Sequence, residues 1–344
     1  RVRSSAASDV YKRQLLRVSK AISNKIANPI LEGIKIIAEE DTLIMSATDT
    51  ELTIEKKIKA EVRQEGETVV PGRFITEFVK KLTNTQIELE VNDKNQLTIR
   101  YEDSESVIQC YNPVEYPGFK NVESKEYFGI SQKDFKTCVN KSIFAVALDD
   151  SRPILKGVLF DINNNELNVV ALDGYRLARV KKTIKSNMTK SIVVPARSLN
   201  ELSKMIEDSD EIINIYVGEY TIMADLGDTK VTSRLLEGDY INYKQIIPVN
   251  FETFVIVNKE QFEQALERAT LLSRASSSNY VKFDIKESNL CITSNSELGN
   301  LKENIPVSVS GKDLVISFNP RYYLESLRVN TNEFVKLCFN NPST

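Results

Sequence analysis

Asp173, Tyr175 and Arg176 are the first residues whose types and spacing could do chemistry; they lie in the stretch ALDGYRLA at 171–178. A carboxylate, a phenol and a guanidinium within four positions could form a catalytic cluster, a structural turn or one edge of a docking site. Catalysis would need a companion base, nucleophile or metal set. The chain contains no histidine, so the commonest metal ligand and the usual general base near neutral pH are both missing. Cys110, Cys138, Cys291 and Cys338 are scattered without a C-x-x-C pair, which reads as free thiols of a reducing compartment. Glycine is scarce, with 12 residues, and neither G-x-G-x-x-G nor G-x-x-x-x-G-K-[ST] occurs. Loops that let a backbone approach a phosphate are therefore disfavoured. Asp149–Asp150 and EDSDE at 207–211 read as charged turns. No catalytic residue, metal site or cofactor is assigned.

The elements that position these residues come in three copies. NPILEGIKI (28–36) returns as RPILKGVLF (152–160), 124 residues later. SATDTELTI (46–54) returns as VALDGYRLA (170–178), which sets Asp173 opposite Asp49. VVPGRFITEFVKKL (69–82) returns as VVPARSLNELSKMI (193–206) and, more loosely, as SFNPRYYLESLRV (317–329). A third strand unit is YVKFDIKESNLCITSNSEL (280–298). Agreement of several segments at one offset means a triplicated unit. Because Asp49 has the same setting, Asp173 is expected to organise a turn.

Each unit begins with an amphipathic helical stretch, at 11–24, 131–146 and 259–274. Alternating strands follow, then a second helix, then a meander whose tight turns are hairpin signals. The fold class is α+β. The segment RVRSSAASDV does not alternate as YFGIS and FVIVN do before the other first helices, so residues 1–12 read as a non-native segment. The expected units are 13–122, lacking its first strand; 126–248; and 251–344, cut short at its C-terminal end. The chain has 344 residues and a formal net charge of −3, with apolar runs far too short for a bilayer. It reads as a soluble protein of the cytoplasm.

The second helices share a pattern: Arg73–Glu77–Lys80, Arg197–Glu201–Lys204 and Arg321–Glu325–Arg328. Offsets of four and seven fall on one helical face, with Phe74, Ile75, Phe78 and Leu82 as the expected buried stripe of the first copy. The plain reading is a solvated face stitched by ion pairs. Repetition in register suggests that the basic ends serve something shared. The first helices add Arg13, Arg17, Lys20, Lys25, Lys133, Lys136 and Lys141. Basic rows on an acidic chain suggest one surface that attracts phosphates.

VSKAISNKIANPILEG, DDSRPILKGV, ALDGYRLA, VPARSLNELSKMI, TSRLLEGDYINYKQIIP and FNPRYYLESL together resemble the bacterial DNA polymerase III beta subunit family, the sliding clamps. The resemblance runs from about residue 14 to the end of the chain. It implies three clamp domains, each with two helices packed on curved antiparallel sheets, forming half of a ring. Two subunits would join head to tail as a homodimer around duplex DNA, without reading its sequence. DNA-facing residues would be Arg17, Lys20, Lys25, Arg73, Lys80, Lys141, Arg197, Lys204, Arg321 and Arg328. The ring would serve as a processivity factor in replication, with no catalysis of its own.

The resemblance also implies a hydrophobic pocket between domains two and three. There the replicative polymerase, the clamp loader and repair proteins would insert short linear peptides. Its residues would be Leu155, Leu172, Gly174, Tyr175, Arg176, Leu177, Ile241, Ile246, Asn319 and Tyr322. Ile241 departs from the family's usual proline, and the family's final strand and tail are missing. The subunit interface would set Phe78 and Leu82 against Leu271 and Leu272 of the partner; the other reading makes all four core residues. The alternative function is a three-domain interaction scaffold that encircles nothing.

Overall fold

The computed structural model describes residues 2–23, 28–82, 86–118, 124–275 and 279–341, with side chains from Tyr11 onward. The first repeat holds β1 (Val2–Ala7), α1 (Ser8–Val18), β2 (Gly33–Glu39), β3 (Thr42–Thr48), β4 (Leu52–Lys59), β5 (Glu61–Gln64), β6 (Gly66–Pro71), α2 (Gly72–Lys81), β7 (Gln86–Val91), β8 (Gln96–Tyr101) and β9 (Ser104–Gln109). The second holds β10 (Tyr127–Ser131), α3 (Gln132–Asn140), β11 (Gly157–Asn163), β12 (Glu166–Leu172), β13 (Leu177–Thr183), β14 (Thr189–Pro195), α4 (Ala196–Met205), β15 (Ile212–Val217), β16 (Thr221–Asp225) and β17 (Thr229–Arg234). After the short α5 (Tyr243–Ile246), the third holds β18 (Thr253–Asn258), α6 (Lys259–Ser273), β19 (Val281–Lys286), β20 (Asn289–Ser296), β21 (Gly299–Pro306), β22 (Ser308–Gly311), β23 (Leu314–Phe318), α7 (Pro320–Arg328) and β24 (Phe334–Phe339).

Local chemistry places the second helices. α2 and α4 start directly after Pro71 and Pro195, and α7 starts on Pro320 with the Asn319 side chain accepting from the Arg321 N–H at 3.1 Å. Proline suits a first helical turn because its missing donor would have no partner there. Asn258 caps α6 in the same way, accepting from the Gln261 N–H at 3.1 Å. α3 is shorter than its apolar period suggests: it ends at Asn140 and the chain continues through a 3-10 turn at Ile143–Ala145.

Packing divides the chain into two units. The first comprises residues up to Val139, Val146–Ala171 and Arg179–Gly238. In it, an eight-stranded sheet runs β10-β15-β16-β17-β4-β3-β2-β6 and carries both repeats. The join is antiparallel pairing of β17 with β4, with Thr229 opposite Lys56 and Ser233 opposite Leu52. Lys56 is only 3% exposed at that join. Its Nζ lies 2.5 Å from Asp228 Oδ1 and donates to Thr229 Oγ1 at 2.9 Å. A buried ammonium is tolerated only with such partners.

The second unit is Asn140–Ala145, Leu172–Ala178 and Asp239–Thr344. Its sheets are β21-β20-β19-β23 and β22-β18-β24. The Phe262 and Phe283 rings pack at 5.8 Å, and Tyr323 lies 5.4 Å from Phe283. Burial there pushes the Tyr323 phenol well above its usual range. β24 pairs with β18 as β7 pairs with β1 and β15 with β10.

Two expectations need correction. The first repeat does not lack its first strand: Val2–Ala7 forms β1, pairing with β7 from Val2↔Val91 to Ala7↔Gln86 and also with β5. Ladder hydrogen bonds come from the backbone, so a segment without apolar alternation can satisfy an open strand edge. The buried stripe of α2 is Gly72, Ile75, Thr76 and Val79, instead of Phe74, Phe78 and Leu82. Phe74 is 52% exposed and stacks on Phe78 at 5.8 Å, while Phe78 meets Tyr101 edge-on at 5.7 Å. The two faces lie one residue apart on the helix, and the branched and small residues are the ones that fit against the sheet. No helix among the described residues is long and apolar enough to cross a membrane.

Candidate functional site

The Asp173 carboxylate builds the turn between β12 and β13. Its Oδ1 accepts from the Tyr175 N–H at 2.9 Å and the Arg176 N–H at 3.0 Å, while the Asp173 N–H donates to the Arg176 carbonyl. Gly174 takes φ +96°, where a side chain would be strained. The Asp49 turn has the same plan: its Oδ1 accepts from Glu51 and Leu52 at 3.0 and 2.8 Å, and Thr50 takes φ +78°. The aspartate is thus a turn-former in both copies.

Arg176 converts that turn into a rigid surface. Its Nε donates to Asp173 Oδ2 at 3.0 Å, its Nη1 binds Glu325 and its Nη2 donates to the Phe144 carbonyl at 2.6 Å. The guanidinium centre also lies 4.8 Å from the centre of the Tyr322 ring and 5.6 Å from that of Phe144. All three nitrogens are engaged, so Arg176 is a pin for the loop and not a free anion ligand. Burial works to raise the Glu325 carboxyl, but hydrogen bonds and charge from Arg321 and Arg176 outweigh it and hold it below the usual range. Burial and the nearby Asp173 charge raise the Tyr322 phenol.

Around this pin, Leu172 is buried, Leu177, Ile241, Asn319 and Tyr322 are half-buried, and Tyr175 and Ile246 are 85% and 53% exposed. Asn319 is committed to capping α7. Leu155 belongs to the first unit, where it is buried in the 3-10 turn Pro153–Lys156. Sequence reasoning missed Phe144 and Tyr240. Tyr240 is pushed up to about 12 by burial, against a hydrogen bond with the Leu172 backbone. Tyr116, 124 residues earlier, bonds the Thr48 N–H and the Gly33 carbonyl, both at 3.2 Å. The repeat offset is the signal that could have found the tyrosines; Phe144 carried none, since its counterpart is Lys20.

The basic helix residues divide into two groups. Lys80 pairs with Glu77, Lys204 with Glu201 at 2.8 Å, Arg321 with Glu325 at 2.6 Å and Arg328 with Glu267 at 3.5 Å. Arg197 binds Asp49 and donates to the Lys20 carbonyl at 3.3 Å. Arg17, Lys20 and Arg73 are exposed and Lys141 is half-buried. Lys25 lies outside the described residues. Near the C-terminal end of α6, Leu271 is 70% exposed and Leu272 half-buried; on the first unit Phe78 and Leu82 are half-buried. Among the described residues, no group of three or more cysteine, aspartate or glutamate side chains is placed to hold a metal ion.

Comparison with known proteins supplies the family. Three descriptions of the DNA polymerase III beta subunit match in succession: the N-terminal domain over 7–120, the central domain over 129–242 and the C-terminal domain over 244–344. The beta sliding clamp of Staphylococcus epidermidis is 33% identical over 342 residues, covering 96% of this chain and 91% of that protein. That of Bacillus subtilis is 34% identical over 335 residues, covering 94% and 89%. The crystal structure of the Bacillus subtilis sliding clamp superposes with a TM-score of 0.95 at 32% identity, covering 99% of this chain and 93% of that one. Three clamp domains in the family's order, over nearly the whole length, place this chain in the bacterial DNA polymerase III beta subunit family, the beta sliding clamps.

Proposed function

We propose that this chain is a DNA sliding clamp, a non-catalytic processivity factor. Two copies join head to tail into a ring around duplex DNA in the bacterial cytoplasm and tether the replicative polymerase. The observation that carries the reading is the threefold recurrence, at one spacing, of a helix with a basic–acidic–basic face on a domain of the clamp family. Holding is topological, so phosphate contacts should be few and weak enough to slide, and base contacts are not wanted. Helices whose lysines and arginines are half-neutralised by glutamates suit that requirement. The DNA-facing set is Arg17, Lys20, Lys25, Arg73, Lys80, Lys141, Arg197, Lys204, Arg321 and Arg328.

The first domain, with β1 and α1 included, runs to about 122, and the others run over about 126–248 and 251–344. Leu172, Gly174, Tyr175, Arg176, Leu177, Ile241, Ile246, Asn319 and Tyr322, with Leu155, receive short linear peptides of the polymerase, the loader and repair proteins. Support comes from the exposed apolar side chains of Tyr175 and Ile246 beside a turn held from four sides by Arg176. The ring closes when Phe78 and Leu82 of one copy meet Leu271 and Leu272 of the other, a heterologous contact. The exposed Phe74, stacked on the half-buried Phe78, and the exposed Leu271 favour this over a core role.

The test is retention on DNA. The protein is loaded on a nicked circle by a clamp loader, passed through a sizing column in high salt, and the run repeated after the circle is cut. Retention on the circle and loss after cutting is expected. Equal loss from both would leave only a scaffold that encircles nothing, and equal retention would mean direct binding.

A further inference from the structure

A groove of about 530 Å³ opens in the first unit where β10 parts from the segment that follows β13. At one point the two chains are joined: the Gly129 N–H donates to the Lys185 carbonyl at 2.8 Å, and the Lys185 N–H donates back at 3.0 Å. Antiparallel ladders alternate the direction of their hydrogen bonds along the strand. The Glu126 carbonyl accepts from Val217 on the β15 side, while Gly129 faces Lys185. Tyr127, between them, therefore directs its N–H and C=O into the groove. The opposite chain does not continue the pairing. It curls away at Met188, whose N–H donates to Ser186 Oγ at 3.1 Å and whose carbonyl accepts from Asn164 at 2.9 Å.

The side chains give the groove a sign and an apolar wall. Lys125 and Lys185 are exposed at its rim, and neither forms an ion pair among the described residues. The rim carboxylate of Glu126 already lies 3.4 Å from the Lys190 ammonium. Ile212 is 47% exposed along one wall, close to Gly129, and the Tyr127 ring packs at 5.6 Å on Tyr216. An unpaired strand edge, two unneutralised ammonium groups and an apolar wall are the parts that strand addition uses: main-chain bonds for affinity, alternate side chains for selection.

We propose that this groove binds an extended acidic segment of a partner protein, which adds to the open edge of β10 as a further strand. Its alternate residues set carboxylates against Lys125 and Lys185 and apolar side chains against Ile212. The site shares no residue with the pocket at 172–177, so its failure would leave the clamp reading untouched.

The probe is the synthetic peptide acetyl-Val-Glu-Val-Glu-Val-Glu-amide, titrated into the isotopically labelled full chain and followed by backbone amide resonances. Saturable shifts at Tyr127, Gly129 and Lys185 are expected. Lys125→Glu with Lys185→Glu should weaken binding by about tenfold. Tyr127→Pro, which removes a donor that serves no ladder of the fold, should weaken it as well. Absence of saturable shifts at millimolar peptide would overturn the proposal, as would unchanged affinity in the charge-reversed variant. Equal binding of a backbone N-methylated peptide would also overturn it, because strand addition needs the main chain. A short oligothymidylate that moves the same amides at lower concentration would assign the lysines to nucleic acid and overturn it too.

Discussion

Arg176 and Arg197 do the same job for two successive repeats from different places in the chain. Arg176 binds the outer oxygen of Asp173 and the carbonyl of Phe144; Arg197 binds the outer oxygen of Asp49 and the carbonyl of Lys20. Asp173 and Phe144 each lie 124 residues after Asp49 and Lys20, so the acceptors are equivalent while the donors are not. One arginine comes from the turn itself and the other from the second helix of the following repeat. Leu52 stands where Arg176 would be, and Arg321, the counterpart of Arg197, is left to pair with Glu325.

This arrangement makes Arg176 a structural residue of the proposed pocket. Arg176→Ala should destabilise the second unit by about 2–4 kcal/mol, because it leaves Asp173 and Glu325 short of a buried partner. Arg176→Lys should recover little, since an ammonium cannot reach three acceptors in a planar fork. Chemical denaturation followed by a probe in the second unit checks both. Equal stability of the wild type and the alanine variant would mean that the turn holds without its pin.

Glu325 sets a pH dependence. Its carboxyl lies below its ordinary value of 4.5 in the folded chain, so the stabilisation is fully present above that value and is lost as pH falls through the folded pKa. The second unit should therefore weaken progressively on acidification below about pH 4.5. Glu325→Gln should be less stable at neutral pH and show a shallower acid slope. Denaturation midpoints across the acid range measure this; parallel slopes in the two proteins would contradict it.

The join between β17 and β4 should respond asymmetrically. Asp228 keeps 63% of its side-chain exposure, whereas Lys56 keeps 3%. Asp228→Asn strands a buried ammonium and should cost about 2 kcal/mol. Lys56→Met removes the buried charge and leaves a carboxylate that water can solvate, so it should change stability by less than about 1 kcal/mol. Urea unfolding of the two variants gives the comparison, and the reverse order would sink the argument.

For DNA binding, exposed unpaired cations should count for more than stitched ones. Arg17 and Lys20 are exposed and form no salt bridge among the described residues, although the Arg17 charge still acts on Asp228, while Lys80 and Lys204 each hold a glutamate. Neutralising Arg17 or Lys20 should lower the salt slope of DNA binding by about one for each phosphate left without its cation, at any DNA sequence. Lys80→Ala and Lys204→Ala should have smaller effects. Binding measured over a series of salt concentrations separates the pairs.

Much of the fold was legible along the chain because its signals are local. Pro71, Pro195 and Asn319–Pro320 mark helix starts through their own backbone limits, and the strands β8 and β15 alternate by residue. The 124-residue offset carried the Asp49–Asp173 equivalence, and with it the correct expectation of a turn. The misreadings concern partners far away in sequence. β1 forms because β7 and β5 offer it strand edges, which nothing in RVRSSAASDV announces. Phe74 and Phe78 look like a core stripe by period alone, yet Ile75 and Val79 take the sheet-facing side.

The sequence by itself determined the triplication, the α+β class, the family resemblance and the residues of the pinned turn, since each rests on spacing or on the chemistry of neighbouring residues. Only the tertiary structure decided which arginine serves each turn, that Lys56 is buried at a sheet join, and that most basic residues on the second helices are held by glutamates. Those outcomes depend on distance and burial between segments brought together by folding, and no spacing along the chain encodes which of several like-charged side chains arrives first.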